Sequence, residues 1–90
     1  MVDTWDEAKR RVTLAERGLD FADARLAFAS RHFTRAADRR EHGEDRFITA
    51  GFLRERFVVV AWTQRYGGRR IISMRHGHDR EKACFQSCLD

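Results

Sequence analysis

The apolar positions of this chain change period part-way along it. Trp5, Ala8, Val12 and Ala15 recur at helical spacing with Lys9, Arg10 and Arg11 between them, which predicts an amphipathic helix from about Trp5 to Arg17. Thr4-Trp-Asp-Glu7 fits a capping box at its start, and Gly18 is placed to end it. Asp20 is placed to cap a second helix, whose stripe is Phe21, Ala24, Ala27 and Phe28 up to about Ser30. The pair is either a helix-turn-helix or a helical hairpin lying on whatever follows. The shortness of the second helix, and the need of the downstream strands for a cover, favour the hairpin.

From Gly43 to Arg75 the pattern becomes that of strands. Gly43-Glu-Asp-Arg-Phe-Ile-Thr-Ala-Gly51, the run from Arg56 to Arg65 and the run from Arg69 to Arg75 are rich in Phe, Val, Ile, Thr and Trp. Breaks at Leu53-Arg-Glu55 and Tyr66-Gly-Gly68 make them a meander, the glycine pair being a hairpin signal. The polar, arginine-rich stretch from Arg31 to His42 is either a solvated loop or an arm that tracks a phosphate backbone, and Arg31 to Arg35 can form a charged edge strand. After Arg75, Asp79 is a plausible cap for a closing helix whose apolar side is Cys84, Phe85, Cys88 and Leu89. The expected architecture is one α+β domain over residues 1–90, with two N-terminal helices on a small antiparallel sheet of three to four strands and a C-terminal helix.

Alternation along the strands sets Ile48, Ala50 and Phe52 on one face, and Phe47, Thr49 and Gly51 on the other. In the last strand Ile72 and Met74 share a face, and Ile71, Ser73 and Arg75 the opposite one. The face of Thr49, Thr63, Ser73 and Arg75 is then the wetter one and the place for a groove. Arg46 has the parity of Ile48, so it joins the middle of the face of Arg75 only through a bulge, and otherwise reaches it from the strand end.

Charge narrows the partners. The 90 residues include 18 basic and 14 acidic ones, a net charge of +4, and all the basic residues but Lys9 and Lys82 are arginine. Such a surface attracts polyanions, and the guanidinium fork suits phosphate, although a GC-rich genome gives the same arginine bias with no function attached. The N-terminus lacks the apolar core of a signal peptide, and the longest apolar run, Phe57 to Trp62, is too short to span a bilayer, so no membrane partner is expected. Two cysteines, Cys84 and Cys88, make no disulfide framework, which suits the cytoplasm.

The chemistry open to these residues is limited. His76, His78, Cys84 and Cys88 lack the spacing of a zinc site, so neither a metal nor another cofactor is expected. No nucleophile elbow, Walker loop or dinucleotide fingerprint occurs. RNA brings its own nucleophile, the 2′-hydroxyl, and needs only cations for the pentavalent transition state and groups that move protons. Arg46, Arg70, Arg75 and Arg80 are candidates for charge; Glu81, His78 and His76 are candidates for protons. Arg65, which closes the middle strand, is placed with the RNA-binding cations. A non-catalytic nucleic-acid-binding module, and a protein that merely holds an acidic partner, are the alternatives.

Trp5-Asp-Glu-Ala-Lys9, Gly18-Leu-Asp-Phe21, the Gly43–Gly51 run, Val58 to Thr63, and Arg70-Ile-Ile-Ser-Met-Arg75 followed by Arg80-Glu81 together resemble the BrnT family of toxins. The resemblance implies a RelE-like fold and a ribonuclease of a type II toxin–antitoxin pair that cuts RNA without a metal and slows translation. It implies a BrnA-like antitoxin that joins the toxin in a heterotetramer and alone contacts operator DNA. It implies functional roles for Lys9, Arg46, Arg70, Arg75, Arg80 and Glu81. The chain departs from the family pattern at Thr13, Glu16, Arg17, Phe85 and the turn His76-Gly77-His78, which implies either proton transfer shifted to His76 or His78 or a weakened or inactive toxin.

Overall fold

A computed structural model describes residues 2–37 and 45–89. The element order is β1 (Asp3–Trp5), α1 (Glu7–Arg17), a 3-10 turn (Phe21–Asp23), α2 (Ala24–Ala29), β2 (His32–Ala36), β3 (Arg46–Leu53), β4 (Arg56–Arg65), β5 (Gly68–His76) and α3 (Asp79–Leu89). The strands form one five-stranded sheet in the order β1-β5-β4-β3-β2. Every pairing is antiparallel except β1 with β5, which is parallel, so the sheet is mixed and larger than the sequence predicts. Residues 38–44, which hold the rest of the basic segment and the expected start of the first long strand, lie outside the described residues, as do the side chains of Cys88 and Leu89.

The unexpected strand is β1. Trp5 does not open the helix but pairs with Ile71 and packs on the core. The helix cap is therefore Asp6, whose carboxylate accepts from the amides of Ala8 and Lys9, and the expected Thr4–Glu7 box does not form. Glu7 instead accepts a hydrogen bond from the Trp5 indole. β1 is tied down at its outer end by the Arg69 amide on the Val2 carbonyl and by an Asp3–Arg69 ion pair at 2.8 Å.

Helix α1 also differs from its prediction in orientation. Ala8, Val12 and Ala15 are exposed, and no residue of the helix is fully buried. Its inward side is polar: Arg10 pairs with Asp20, and Arg17 donates to the Met74 carbonyl. Gly18, at φ +69°, ends the helix as expected, and Asp20 caps the next turn through the Ala22 amide. Phe21, Ala24 and Ala27 are buried, and α2 lies so close to β3 that a Cβ on Gly51 would approach the Ala27 carbonyl to 2.9 Å. α2 thus covers the sheet.

Two apolar layers result. On the helix-covered face Leu19, Phe21, Ala24 and Ala27 meet Leu53, Val58, Val60, Ile71 and Met74. Thr49 belongs to this face, fully buried, with its hydroxyl bonded to Trp62 Nε1 (2.8 Å) and to Thr34 (2.7 Å). That corrects its assignment to the wetter face: Thr49 pairs with Val60, which pairs with Met74. On the opposite face Phe57, Val59 and Phe85 pack with Ile48, Ala50 and Phe52, and the rings of Phe52, Phe57 and Phe85 lie 5.3–5.8 Å apart.

Both hairpins have two-residue turns, Arg54–Glu55 between Leu53 and Arg56, and Tyr66–Gly67 between Arg65 and Gly68. Only one glycine of the expected pair lies in the turn; Gly68 opens β5, where the Val2 carbonyl leaves no room for a Cβ. β5 carries a bulge opposite Ala61 and Trp62, which pair with Ser73 and Ile71 and leave Ile72 over.

Gly77 turns the chain from β5 into α3. Its amide donates to the Phe57 carbonyl at 3.0 Å, and a Cβ there would overlap the Phe57 ring. Gly77→Ala is expected to lower stability by about 1–3 kcal/mol, as overpacking of a filled site does. Urea unfolding of Gly77→Ala checks this, with Gly77→Ala/Phe57→Leu expected to recover part of the loss; full stability of the single variant would show that α3 is not held against Phe57.

Candidate nucleic-acid interface

The sheet face beneath α3 can be written as rows of paired residues. Arg46, Thr63 and Arg70 form one row; Arg35, Ile48, Ala61 and Ser73 the next; Phe33, Ala50, Val59 and Arg75 a third. Arg46 therefore shares the face of Arg75 by register alone, because the side of Ile48 is the side of Ser73 and Arg75. The bulge acts elsewhere than expected. Arg70 and Arg75 have opposite parity in sequence, and the extra residue, Ile72, brings them to the same face.

Small residues at the centre of these rows leave a groove of about 440 Å³. Ile48, Ala50, Val59 and Ala61 are its floor, Phe33 and Arg35 of β2 form one wall, and Ser73 and Arg75 of β5 form the other. Glu81, Cys84 and Phe85 of α3 close one end. An apolar floor with few, placed polar groups is the usual make-up of a binding site. Arg35 was not singled out in the sequence; the signal was there in the alternation of Phe33 and Arg35 along a charged edge strand. Cys84 is exposed, a free thiol facing the groove, where the sequence suggests packing; Phe85 does pack as expected.

Arg75 and Glu81 form a two-pronged pair, Nη1 to Oε1 and Nη2 to Oε2, each 2.8 Å. Nη1 also donates to the His76 carbonyl at 3.2 Å. Glu81 Oε1 in turn accepts the His78 amide at 2.9 Å, while the His78 carbonyl accepts the Lys82 amide. His78 is thus the residue that caps α3, and Asp79, the expected cap, is in its first turn. The bond from Arg75, then that from the His78 amide, hold the Glu81 carboxyl down at about 2, and the same pair raises Arg75. Glu81 is an anion in this arrangement at any ordinary pH.

The remaining candidates are spread out. His78 and Arg80 are exposed at the start of α3. His76 pairs with Val58 on the helix-covered face and its Nε2–H donates to the Arg17 carbonyl at 2.9 Å, away from the groove. Arg65 is exposed at the end of β4, on the parity of Thr63. Lys9 is exposed on α1 and lines no part of the groove. Among the described residues no three His, Cys, Asp or Glu side chains gather as a metal site would need, and no helix is long and apolar enough to cross a membrane.

An apolar floor edged by Arg35 and Arg75, on a mixed sheet with helices on both faces, defines a small basic α+β protein with one groove between the sheet and α3 among the described residues. The chain belongs to the BrnT family: the model of the ribonuclease toxin BrnT of type II toxin–antitoxin systems matches residues 5–81. That span runs from the end of β1 to Glu81 and so takes in the whole sheet but the first residues of β1. The comparison with curated proteins finds no match.

The Arg75–Glu81 pair has a pH signature. Folding lowers the Glu81 pKa from 4.5 to about 2, so the pair contributes stability above about pH 4.5 that is lost as the pH falls toward 2. The gap in melting temperature between wild type and Glu81→Gln is expected to be widest above that range and to close below it. A gap independent of pH would show that Arg75 does not hold the carboxylate.

Proposed function

We propose that this protein is a metal-independent endoribonuclease toxin that works in the groove between the sheet and α3. The 2′-oxygen of the substrate attacks the adjacent phosphorus, the bond from phosphorus to the 5′-oxygen breaks, and the products are a 2′,3′-cyclic phosphate and a 5′-hydroxyl. One group takes the proton of the 2′-hydroxyl and another, or a water, supplies one to the leaving oxygen. The pentavalent transition state carries extra negative charge on its equatorial oxygens, and fixed cations lower its energy.

The observation that carries this reading is how Arg75 is held. Of its five N–H groups, two go to Glu81 and one to the His76 carbonyl, which leaves Nε–H and one Nη2–H. These form the side edge of the guanidinium, a fork that matches two phosphate oxygens. Glu81 aims Arg75 and, being an anion with both oxygens engaged, is a positioning residue more than a base. His78, exposed at the start of α3 with its amide on Glu81, is the better proton carrier. Arg46 supplies a second charge, and Arg65, Arg70, Arg80 and Lys9 contact the RNA backbone.

Family membership supports the biological setting: translation is slowed in the cytoplasm until a BrnA-like antitoxin binds the toxin in a heterotetramer, through which operator DNA is reached.

Purified protein incubated with mixed RNA in excess EDTA, beside Arg75→Ala and His78→Ala, tests the mechanism. Wild type should cut and leave 2′,3′-cyclic ends. Arg75→Ala should cut about 10²–10³-fold more slowly, the usual effect of losing one such donor. His78→Ala should be slowed without a loss of melting temperature. Loss of cleavage in EDTA would overturn metal independence, and RNA bound but left whole would favour a non-catalytic binding module.

A further inference from the structure

The tip of the β4–β5 hairpin has a feature that the groove does not explain. Tyr66 is the first turn residue and has φ +53°, a left-handed conformation in which a bulky side chain is a genuine outlier. Its side chain is fully exposed, at 101%, so no packing offsets that strain. Asparagine followed by glycine is the pair such a turn favours, and Tyr66 is followed by Gly67. The stability of the free protein therefore gives no reason for an aromatic ring here.

Its surroundings do. Thr63 pairs with Arg70, and Arg65 with Gly68, so the side of the hairpin continuous with the groove carries Arg70 and then Arg65 on the way to Tyr66. At about 3.3 Å per residue, the Arg70 row is about 13 Å from the row of Arg75, and the tip about 20 Å. That is a track of cations ending in a flat ring, which is how proteins hold single strands: arginines follow the phosphates and aromatics take the bases.

We propose that the hairpin tip is a base-stacking subsite for single-stranded RNA, with Tyr66 as its platform and Arg65 and Arg70 as the phosphate contacts that lead to it from the groove. The proposal rests on the ribonuclease reading of the groove and adds a second anchor, remote from the bond that is cut. A substrate must then be several nucleotides long to bind at full strength.

The test measures binding of the full chain to a 2′-O-methyl oligonucleotide of about ten nucleotides, which lacks the 2′ nucleophile, and to an abasic strand of equal length. Tyr66→Asn is expected to melt no lower than wild type yet to bind the base-bearing strand about tenfold more weakly, the abasic strand being bound equally by both. Tyr66→Phe, which keeps the ring and loses the hydroxyl, should bind as wild type does. If wild type binds the strand and Tyr66→Asn binds it as tightly, or loses as much on the abasic strand, the stacking subsite is wrong and the groove reading stands. If wild type binds neither strand, the groove reading fails and takes the subsite with it.

Discussion

The pairing of β3 with β4 and of β4 with β5 starts from two turns of two residues each, and such turns fix register to the residue. Everything that concerns the groove depends on that register. A slip of one position would carry Arg46, Arg75 and the small floor residues to the face filled by Leu19, Phe21 and α2, and turn Val58, Val60 and Met74 away from their core. The Ile72 bulge is the one deliberate exception to alternation in β5. It keeps Ile71 and Met74 in the same core while Arg70 and Arg75 share the opposite face of the sheet, which an unbroken strand cannot do.

Three acidic residues sit where elements join. Asp3 holds Arg69 between β1 and β5, Asp20 holds Arg10 between α1 and the turn before α2, and Glu81 holds Arg75 between α3 and the sheet. Exposed pairs of this kind stabilise by little each, and the Asp3–Arg69 pair, at 11% and 13% exposure, is the best shielded of them. Their larger effect is geometric. Each fixes a guanidinium in one orientation, and in the case of Arg75 that orientation turns its Nη1–Nη2 edge to Glu81.

Much of this fold is legible in the sequence because alternation and punctuation are local signals. Gly18, Asp20, the strand limits near Leu53 and Tyr66, and the closing helix with Phe85 inward all follow from side-chain period and turn chemistry. What is not legible depends on pairing. Asp3 to Trp5 has no strand pattern of its own and becomes a strand only because β5 offers an edge. The stripe Ala8, Val12, Ala15 has the right spacing for burial, yet Arg10 and Arg17 find partners on the other side of α1 and turn it outward. Arg46 and Arg70 stand out in the sequence only as cations; their shared face with Arg75 requires the register and the bulge, neither of which periodicity reveals.

The parallel pairing of β1 with β5 also dictates an order of assembly. Hairpins β3–β4 and β4–β5 close loops of two residues, whereas Asp3 meets Arg69 across most of the chain. Closing so long a loop costs entropy that only the finished edge of β5 can offset. β1 is therefore expected to dock late, after the meander exists, and with it the Trp5 side of the core. A nascent chain emerging from the ribosome would carry its first strand unpaired until β5 had followed it out, so the groove, whose lining runs from Phe33 to Phe85, is complete only when synthesis of those residues is done.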